Sequence, residues 1–412
     1  MLISIYDSYN ILSKVYSQNA YLKQAILSTP IEEKNRALVV KTCYGVLDKD
    51  IELSYYIRYL SPKSPKLAVR TVLKIAMYFI RYLKKHPYAV IDNAVELVKK
   101  LGKGGVGGYV NALLRRFSER EIPLPQEKFQ RLSVQYSFPV FAVKKLVEEC
   151  GEERAEKIMA AEGGANTLVF YETDGEAYLK SIDADFCKTP FCGAYTVRNF
   201  TRNADYDAGV YTFQSVGSLA ICAGVESGKT LLDACAAPGG KSVNLSYRFE
   251  SVTACELHPH RAALIEDYAR RMKRKNITVY VKDSAIYDET FKEKFDAVLC
   301  DVPCSGFGVA FENPDIKLNK DEKNLEELKT LQLSILQNCA KYVKKGGHLY
   351  YSTCSFFDEE NSLNVERFLK NNADFVFEES ESPLAYERKK YGLQFLPDVS
   401  GGGFFFAKMK KV

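Results

Sequence analysis

Two cysteines in this chain lie among small and hydroxyl-bearing residues, each just past an apolar run. Cys354 belongs to the stretch YYSTCSFF, and Cys304 belongs to DVPCSG, three residues after Asp301. A free cysteine is most often a small buried apolar residue, whereas a cysteine that does chemistry acts as the thiolate. If the two apolar runs are neighbouring strands, two thiols and a carboxylate face one cleft. Such a set could form and later break a covalent bond to a substrate.

Disulfide bonds and zinc are both poor explanations for these cysteines. The 412 residues include 11 cysteines, an odd number, and no basic region precedes the apolar residues of the N-terminus as in a secretory signal. Neither Cys187/Cys192 nor Cys300/Cys304 makes a CxxC pair with a second pair downstream. No uncharged apolar run approaches the roughly 20 residues of a membrane span. We therefore expect reduced thiols, no metal, no membrane contact and a cytoplasmic location.

A glycine-rich turn after an earlier apolar run predicts a ligand-binding loop, because glycines let the backbone approach a ligand closely. Asp233 ends that run, and Glu256 ends the next one, 23 positions later, where a carboxylate could accept hydrogen bonds from ribose hydroxyls. Asp283 follows a third run and could accept from an adenine amino group. The stretch GVESGKT is one residue too short for a phosphate-binding P-loop. A nucleoside-bearing cofactor is therefore expected, with a loop formed by Cys235, Ala236, Ala237, Pro238, Gly239, Gly240 and Lys241.

Strand and helix patterns alternate from Thr230 onward, which predicts a mostly parallel, Rossmann-like sheet with helices on both faces. Ligands bind such sheets beyond the carboxyl ends of the strands, where the residues above lie. We expect a helix over residues 358–372, followed by two more strands. The five predicted core strands are TLLDACA, SVTACEL, ITVYVKD, FDAVLCDVPC and GGHLYYSTCS.

The first part of the chain shows helical spacing and a basic charge. Residues 1–125 carry 20 Lys+Arg and 10 Asp+Glu, a net charge of +10, which is typical of a module that binds a polyanion but also of a solvated Lys-rich surface. Helical patterns continue at 126–136 and 139–162. The predicted organisation is multi-domain: an all-α domain (1–125), connecting helices and a small mixed α/β subdomain (126–205), and an α/β Rossmann-like domain (206–412).

Methylation of a cytosine ring would use this set of groups. Carbon 5 of cytosine becomes nucleophilic enough to take a methyl group from S-adenosylmethionine only after a thiolate adds to carbon 6. A carboxylate can hold ring N3 and the amino group, and a second group must help to remove the carbon 5 proton before the thiolate leaves. One cysteine, one carboxylate and a second cysteine meet those needs.

The motifs resemble the Nol1/Nop2/Sun family of RNA cytosine-C5 methyltransferases. The resemblance implies S-adenosylmethionine as cofactor and Cys354, in the TCS motif, as the nucleophile. It also implies that Cys304 assists product release, that Asp301 contacts the target base and the cofactor, and that the loop 235–241 with Glu256 and Asp283 binds the cofactor. The motifs that carry it are DACAAPGGK, DVPCSGFGV, NPDIK, YSTCSFFDEEN and GGFFFAKM.

The helical N-terminal part, with PYAVIDNAVELVKK and YVNALLRRF, resembles the NusB-like RNA-binding domain. Its fusion to such a methyltransferase implies ribosomal RNA as partner, with 16S rRNA the expected target, and a monomer is expected. The same chemistry on tRNA or 23S rRNA, or a non-catalytic RNA-binding role, are the alternatives. The sequence departs from the family pattern at residues 168–173, at Ser215 and at residues 311–312, which bears on RNA contacts.

Overall fold

The first part of the chain is helical, as the three- and four-residue spacing of its apolar residues predicts. The computed structural model describes all 412 residues apart from the side chains of Asn319, Asp398 and Val399. Gly151, with a φ of 79°, ends one helix, so the pattern at 139–162 forms two helices instead of one. The helices are α1 Leu2–Gln18, α2 Leu22–Leu27, α3 Glu33–Asp48, α4 Asp50–Leu60, α5 Leu67–Arg81, α6 Pro87–Lys100, α7 Gly107–Glu119, α8 Lys128–Tyr136, α9 Val140–Cys150 and α10 Glu152–Ala160.

Helix α5 lies at the centre of this helical part. Ten of its fifteen residues are buried, among them Leu73, Met77 and Phe79, and each such apolar side chain contributes about 1.5–3 kcal/mol to folding. Lys74 is buried in the same helix, and its ammonium lies 2.5 Å from the carboxylate of Asp50 in α4. The buried charge of α5 is therefore compensated by an ion pair.

A small antiparallel sheet follows the helical part. Its strand order is β2-β3-β1-β4, and its core is aromatic, with Phe170 and Tyr211 buried between the strands and α11. This sheet corresponds to the mixed, strand-containing region expected before residue 205. The elements are β1 Asn166–Val169, α11 Gly175–Ser181, β2 Asp185–Lys188, β3 Ala194–Arg198, α12 Ala204–Asp207 and β4 Thr212–Phe213.

A nine-stranded sheet forms the last part of the chain and confirms the Rossmann-like prediction. Strands β5 to β9 are parallel in the order β9-β8-β5-β6-β7, and β10 to β13 form an antiparallel edge beside β9. The strands are β5 Gly228–Asp233, β6 Phe249–Glu256, β7 Ile277–Val281, β8 Phe295–Asp301, β9 Val343–Thr353, β10 Phe375–Glu378, β11 Glu387–Lys389, β12 Gly392–Phe395 and β13 Phe404–Lys411. The helices are α13 Val216–Gly224, α14 Gly240–Leu245, α15 Pro259–Arg271, α16 Ile316–Asn319, α17 Glu322–Ala340, α18 Ser362–Asn371 and α19 Pro397–Ser400.

The helix expected over residues 358–372 begins later than predicted. Residues 358–361 form a turn, and α18 starts at Ser362. The side chains of Glu360 and Asn361 are fully buried and are bonded to the loops that carry the two cysteines, so this stretch does not present the exposed polar face of a helix. The hairpin of β11 and β12 was not predicted from the sequence.

The chain divides into two compact units whose limits differ from the predicted domain limits. One unit contains residues 1–160 and 310–320, and the other contains 161–309 and 321–412. Within the first unit, the ammonium of Lys317 lies 2.7 Å from the carboxylate of Asp48 and 4.7 Å from the centre of the Phe138 ring. The NPDIK motif therefore packs with helices far from it in sequence, while the three-domain division stays a prediction.

The described residues form no disulfide bond, no membrane-spanning helix and no metal-binding cluster. All eleven cysteines are free thiols, and five of them are buried. None of the described helices is long and apolar enough to cross a lipid bilayer. Among the residues whose side chains the structure describes, no group of His, Cys, Asp and Glu is arranged to hold a metal ion.

Candidate active site

The two cysteines of the predicted site lie at the ends of neighbouring strands. Strands β8 and β9 pair in parallel, with Asp301 opposite Ser352. The loops that follow them therefore leave the same edge of the sheet, and the Sγ atoms of Cys304 and Cys354 lie 3.1 Å apart. The backbone N–H of Cys354 also donates a hydrogen bond of 3.3 Å to the Cys304 sulfur.

The two thiols are electrostatically linked. The contact with the Cys354 sulfur, burial and the charge of Glu360, in that order, raise the pKa of Cys304 well above its usual range. Cys304 is therefore held as the neutral thiol, in a position to donate to the sulfur of Cys354. Two thiols at this distance can share one proton, since a low-dielectric site disfavours two adjacent thiolates.

Asp301 ties the cysteine strand to the glycine-rich loop. One of its carboxylate oxygens lies 2.6 Å from the ammonium of Lys241, and the other accepts a hydrogen bond of 2.7 Å from the Ser352 hydroxyl. Burial alone would lower the pKa of Lys241, but the adjacent Asp301 carboxylate raises it, so the side chain stays charged. The predicted base-contacting carboxylate therefore shares a fixed ion pair with the predicted cofactor loop.

The predicted cofactor loop follows β5, the strand beside β8. Its Gly239 has a φ of 105°, which L side chains rarely adopt, and a Cβ atom there would lie 3.2 Å from Ile265, so both the backbone conformation and the space favour glycine. A Cβ atom on Gly240 would meet open space, which leaves that backbone accessible to a ligand. The other members of the loop, Cys235, Ala236, Ala237, Pro238 and Lys241, lie between the end of β5 and the first turn of α14.

Asp233, at the end of β5, is a buried carboxyl group. One oxygen accepts a hydrogen bond of 2.6 Å from the Ser242 hydroxyl, and the other has no hydrogen-bond partner within the part of the chain whose side chains are described. Burial raises the pKa of Asp233 to about 6. The loop thus begins at a carboxyl group with an unused acceptor oxygen.

Two further carboxylates end the next strands in the sheet order. Glu256 ends β6, is buried, and accepts a hydrogen bond of 3.0 Å from the His258 N–H, while Arg261 lies 3.5 Å from its second oxygen. Asp283 follows β7 and accepts a hydrogen bond of 2.9 Å from the Ala285 N–H. Since β5, β6 and β7 are adjacent and parallel, all the predicted cofactor-binding residues lie at one edge of the sheet.

Four residues that contact this site were not predicted from the sequence. Ser242 and Ser352 bond to Asp233 and Asp301, and Glu360 and Asn361 bond to residues beside Cys354. Ser242 directly follows the predicted cofactor loop, and the other three belong to the YSTCSFFDEEN motif, in which only the cysteine was assigned a role. Hydroxyl and amide side chains are too common in turns for position alone to distinguish them.

Family models match both parts of the chain. Residues 220–410 match the model described as 16S rRNA methyltransferase RsmB/F, and residues 7–119 match the NusB family. The Bacillus subtilis (strain 168) protein named probable ribosomal RNA small subunit methyltransferase B is 33% identical, with 97% of this chain and 95% of that protein covered. The ribosomal RNA small subunit methyltransferase B of Sodalis glossinidius is 30% identical, with 93% and 92% covered.

Solved structures support the fold. The crystal structure of PH0851 covers 100% of this chain and 99% of its own, with a TM-score of 0.84 and 21% identity. A methyltransferase homologue from Pyrococcus horikoshii covers 68% of this chain and 98% of its own, with a TM-score of 0.59 and 20% identity.

A Rossmann-like sheet with a glycine-rich loop after β5 and paired cysteines after β8 and β9 defines an RNA methyltransferase of the cytosine-C5 class. The matches confirm the expected resemblance to the Nol1/Nop2/Sun enzymes. This chain belongs to the RsmB/F family of ribosomal RNA methyltransferases, an S-adenosylmethionine-dependent cytosine-C5 methyltransferase family with an N-terminal NusB-like domain.

Proposed function

We propose that this protein methylates carbon 5 of a cytosine in 16S ribosomal RNA, with Cys354 as the nucleophile and Cys304 as the residue that assists release. The 3.1 Å contact between their sulfur atoms, beside Asp301, is the observation that carries the proposal. The names of the relatives from Bacillus subtilis and Sodalis glossinidius support the small-subunit target. The protein would work as a monomer in the cytoplasm and without a metal.

The residues present fit S-adenosylmethionine. Asp233 has a buried oxygen without a partner, Gly240 leaves its backbone open to a ligand, and Glu256 and Asp283 place carboxylates at the next two strand ends. Carboxylates there suit the hydroxyl and amino donors of a nucleoside. When bound, the cofactor supplies the electrophilic methyl group, and Lys241 with the rest of loop 235–241 would hold it beside Asp301.

In the first half of the reaction, Cys354 acts as the attacking thiolate. Because the site raises the pKa of Cys304, that thiol keeps its proton and can donate to the sulfur of Cys354, which loses its own proton to water and attacks as the thiolate. The Cys354 sulfur forms a bond to carbon 6, and the electrons of the carbon 5–carbon 6 double bond become available at carbon 5. Asp301 would hold the ring through its N3 and amino edge while this occurs.

In the second half, the proton on carbon 5 must leave before the bond to Cys354 can break. The negative charge that held the proton on Cys304 is consumed when Cys354 becomes bonded to carbon. The largest cause of the raised pKa of Cys304 is thereby removed, so the partly exposed Cys304 thiol can release its proton to water and act as a base. It then takes the carbon 5 proton, the ring double bond re-forms, and Cys354 leaves as the thiolate.

The helical part would bind the RNA. Residues 7–119 match the NusB family, and residues 1–125 carry a net charge of +10, so contacts with phosphates are expected to dominate. The target cytosine must be unpaired or turned out of its stack, since carbon 6 is not accessible to a thiolate inside a duplex.

Two experiments test the proposal. Cys354→Ala should abolish methyl transfer to 16S rRNA while S-adenosylmethionine still binds, and Cys187→Ala, which removes an exposed thiol from β2, should leave turnover unchanged. Near-normal turnover of Cys354→Ala would contradict the nucleophile assignment.

Bisulfite sequencing of ribosomal and transfer RNA from a strain lacking the protein should show one or more unmodified cytosines in 16S rRNA. Loss of modification only in tRNA or 23S rRNA would contradict the 16S rRNA target and identify that other RNA as the substrate.

A further inference from the structure

Glu360 is a fully buried carboxylate that the proposed mechanism does not use. It lies in the turn of residues 358–361, six positions after Cys354, and its exposed fraction is 0%. Ionised carboxylates are rarely buried completely, because removal from water costs several kcal/mol unless charges or hydrogen bonds compensate. The contacts that compensate Glu360 therefore indicate what it does.

Its hydrogen bonds reach the residues directly after both cysteines. The Ser305 backbone N–H donates to one oxygen at 2.7 Å, and the Ser305 hydroxyl donates to the other at 2.6 Å. The Ser355 hydroxyl donates to that second oxygen at 2.5 Å. One carboxylate thus joins the loop of Cys304 to the loop of Cys354.

A fourth hydrogen bond ties this arrangement to helix α17. The side-chain amide of Gln332, itself fully buried, donates to Glu360 at 2.9 Å and to the carbonyl of Pro303 at 2.9 Å. Pro303 immediately precedes Cys304, so the Cys304 loop is held on both sides. The four donors occupy both oxygens of Glu360, two on each.

No Lys or Arg side chain among those described forms an ion pair with Glu360. The neighbouring Glu359 differs, because its carboxylate lies 2.7 Å from the ammonium of Lys329. The donors that the described residues supply to the Glu360 carboxylate are neutral, and they belong to the cysteine loops or to Gln332. Its charge also adds to the effects of the Cys354 contact and of burial, which raise the pKa of Cys304.

Asn361 holds the other side of the Cys354 loop. Its side-chain oxygen accepts a hydrogen bond of 2.6 Å from the Thr353 hydroxyl, and its amide donates to the Ser355 carbonyl at 3.0 Å. Residues 360 and 361 therefore bond to the residues on both sides of Cys354. The DEEN end of the YSTCSFFDEEN motif thus has a physical role beside the TCS cysteine.

We propose that Glu360 is a positioning residue that holds Cys304 and Cys354 in contact during catalysis. The inference rests on the proposed function, because it assigns Glu360 to the same thiol pair. The first half of the reaction needs this contact, since proton sharing requires the sulfur atoms to lie at hydrogen-bond distance, and the second half needs Cys304 to lie beside the ring that is bonded to Cys354. Displacement of a reacting group by about 1 Å can lower the rate about 100-fold. Loss of the hydrogen bonds of Glu360 should therefore slow the chemical step.

The test measures the single-turnover rate of covalent adduct formation by the full-length protein. The probe is 16S rRNA transcribed with 5-fluorocytidine, from which no carbon 5 proton can be removed, so the adduct accumulates. Glu360→Ala should slow adduct formation about 100-fold, and Glu360→Gln, which retains the shape and some of the hydrogen bonds, about tenfold. The dissociation constant for S-adenosylmethionine and the KM for RNA should change less than about twofold in either variant.

Glu359→Gln is the matched control, because it changes the adjacent carboxylate that pairs with Lys329, and its adduct rate should stay within about twofold of the parent. If Glu360→Ala does not fold, Ser305→Ala and Ser355→Ala replace it, each with an expected loss of about tenfold. Unchanged adduct rates in folded Glu360→Gln and in the serine variants would overturn the inference. So would a loss of cofactor binding equal to the loss of rate, which indicates a general disturbance of the domain. An unsubstituted protein that forms no adduct and methylates no RNA would instead overturn the proposed function, and the inference with it.

Discussion

The ammonium of Lys241 lies 2.6 Å from the carboxylate of Asp301, and this ion pair joins the glycine-rich loop after β5 to the strand that leads to Cys304. Both side chains are largely buried, with 14% and 28% of their surfaces exposed. A charge-assisted contact in such surroundings is stronger than one in water. The pair therefore couples the position of the cofactor loop to that of the group expected to hold the base.

Lys241→Met should weaken S-adenosylmethionine binding and destabilise the catalytic unit. The substitution keeps the apolar stem but leaves the Ser352 hydroxyl as the one partner of Asp301 among the described side chains, and the loss of a charged hydrogen bond costs about 1.5–3 kcal/mol. Calorimetric titration with S-adenosylmethionine and urea unfolding measure the two effects. Lys229→Met, at an exposed position on β5, should change neither. Equal effects of both substitutions would show that the ion pair has no special role.

Cys304→Ala should trap the protein on methylated RNA. Without the second thiol the carbon 5 proton is not removed, so the bond between Cys354 and carbon 6 persists after methyl transfer. Denaturing gel electrophoresis should show an RNA adduct that carries one methyl group from labelled cofactor, absent with Cys354→Ala and with Cys187→Ala. A Cys304→Ala protein that turns over repeatedly without an adduct would contradict the release role.

Lys74→Met should destabilise the helical unit strongly. Of the side chains that the structure describes, the substitution leaves the Tyr16 hydroxyl as the partner of the buried Asp50 carboxylate, and breaking a buried ion pair costs about 3–5 kcal/mol. Hydrogen exchange of the amides of α4 and α5 should report the loss. Lys99→Met, which removes an exposed pair with Glu96, should cost less than about 1 kcal/mol. Adding Asp50→Asn to Lys74→Met should restore part of the stability, because the uncompensated charge is then gone.

Periodic patterns predicted the sheet because its strands are specified locally. Strand β8 and the last residues of β5 and β9 are buried at successive positions, as in a strand covered on both faces, and they form short apolar runs in the sequence. The carboxyl ends of those strands then predicted the cysteine pair and the cofactor loop. The parallel pairing of β8 with β9 confirms that the two loops lie at one edge.

The packing of segment 310–320 and the burial of Glu360 were not predicted, because both depend on contacts between residues that are distant in the sequence. The segment 310–320 packs with helices about 270 positions earlier in the chain, as Lys317 does with Asp48, and no local pattern encodes such a pairing. Glu360 lies near the start of the range 358–372 that the sequence predicts to be a helix, where acidic residues are common. Its burial depends on donors from three separate stretches of chain, which become neighbours only in the folded state.

Asp233→Asn should stabilise the protein above pH 6 and do so progressively less at lower pH. Burial raises the pKa of Asp233 from 3.8 to about 6, so the folded state binds this proton more tightly than the unfolded state does. The stability that the protonated form contributes is fully present below pH 3.8 and is lost as the pH rises through about 6. Above that pH the ionised, buried carboxylate costs about 3 kcal/mol at 1.36 kcal/mol for each pKa unit.

Asparagine carries no charge at any pH and can still accept the hydrogen bond from Ser242, so it avoids that cost. Urea unfolding of parent and variant at pH 4.5, 6 and 7.5 gives the difference in the free energy of unfolding at each pH. That difference should grow with pH and level off above about 7, whereas Asp267→Asn, at an exposed site on α15, should give a flat profile. A variant that is less stable than the parent at pH 7.5 would mean that Asp233 is stabilised as the anion. Its unused oxygen would then have to find a donor in the folded protein.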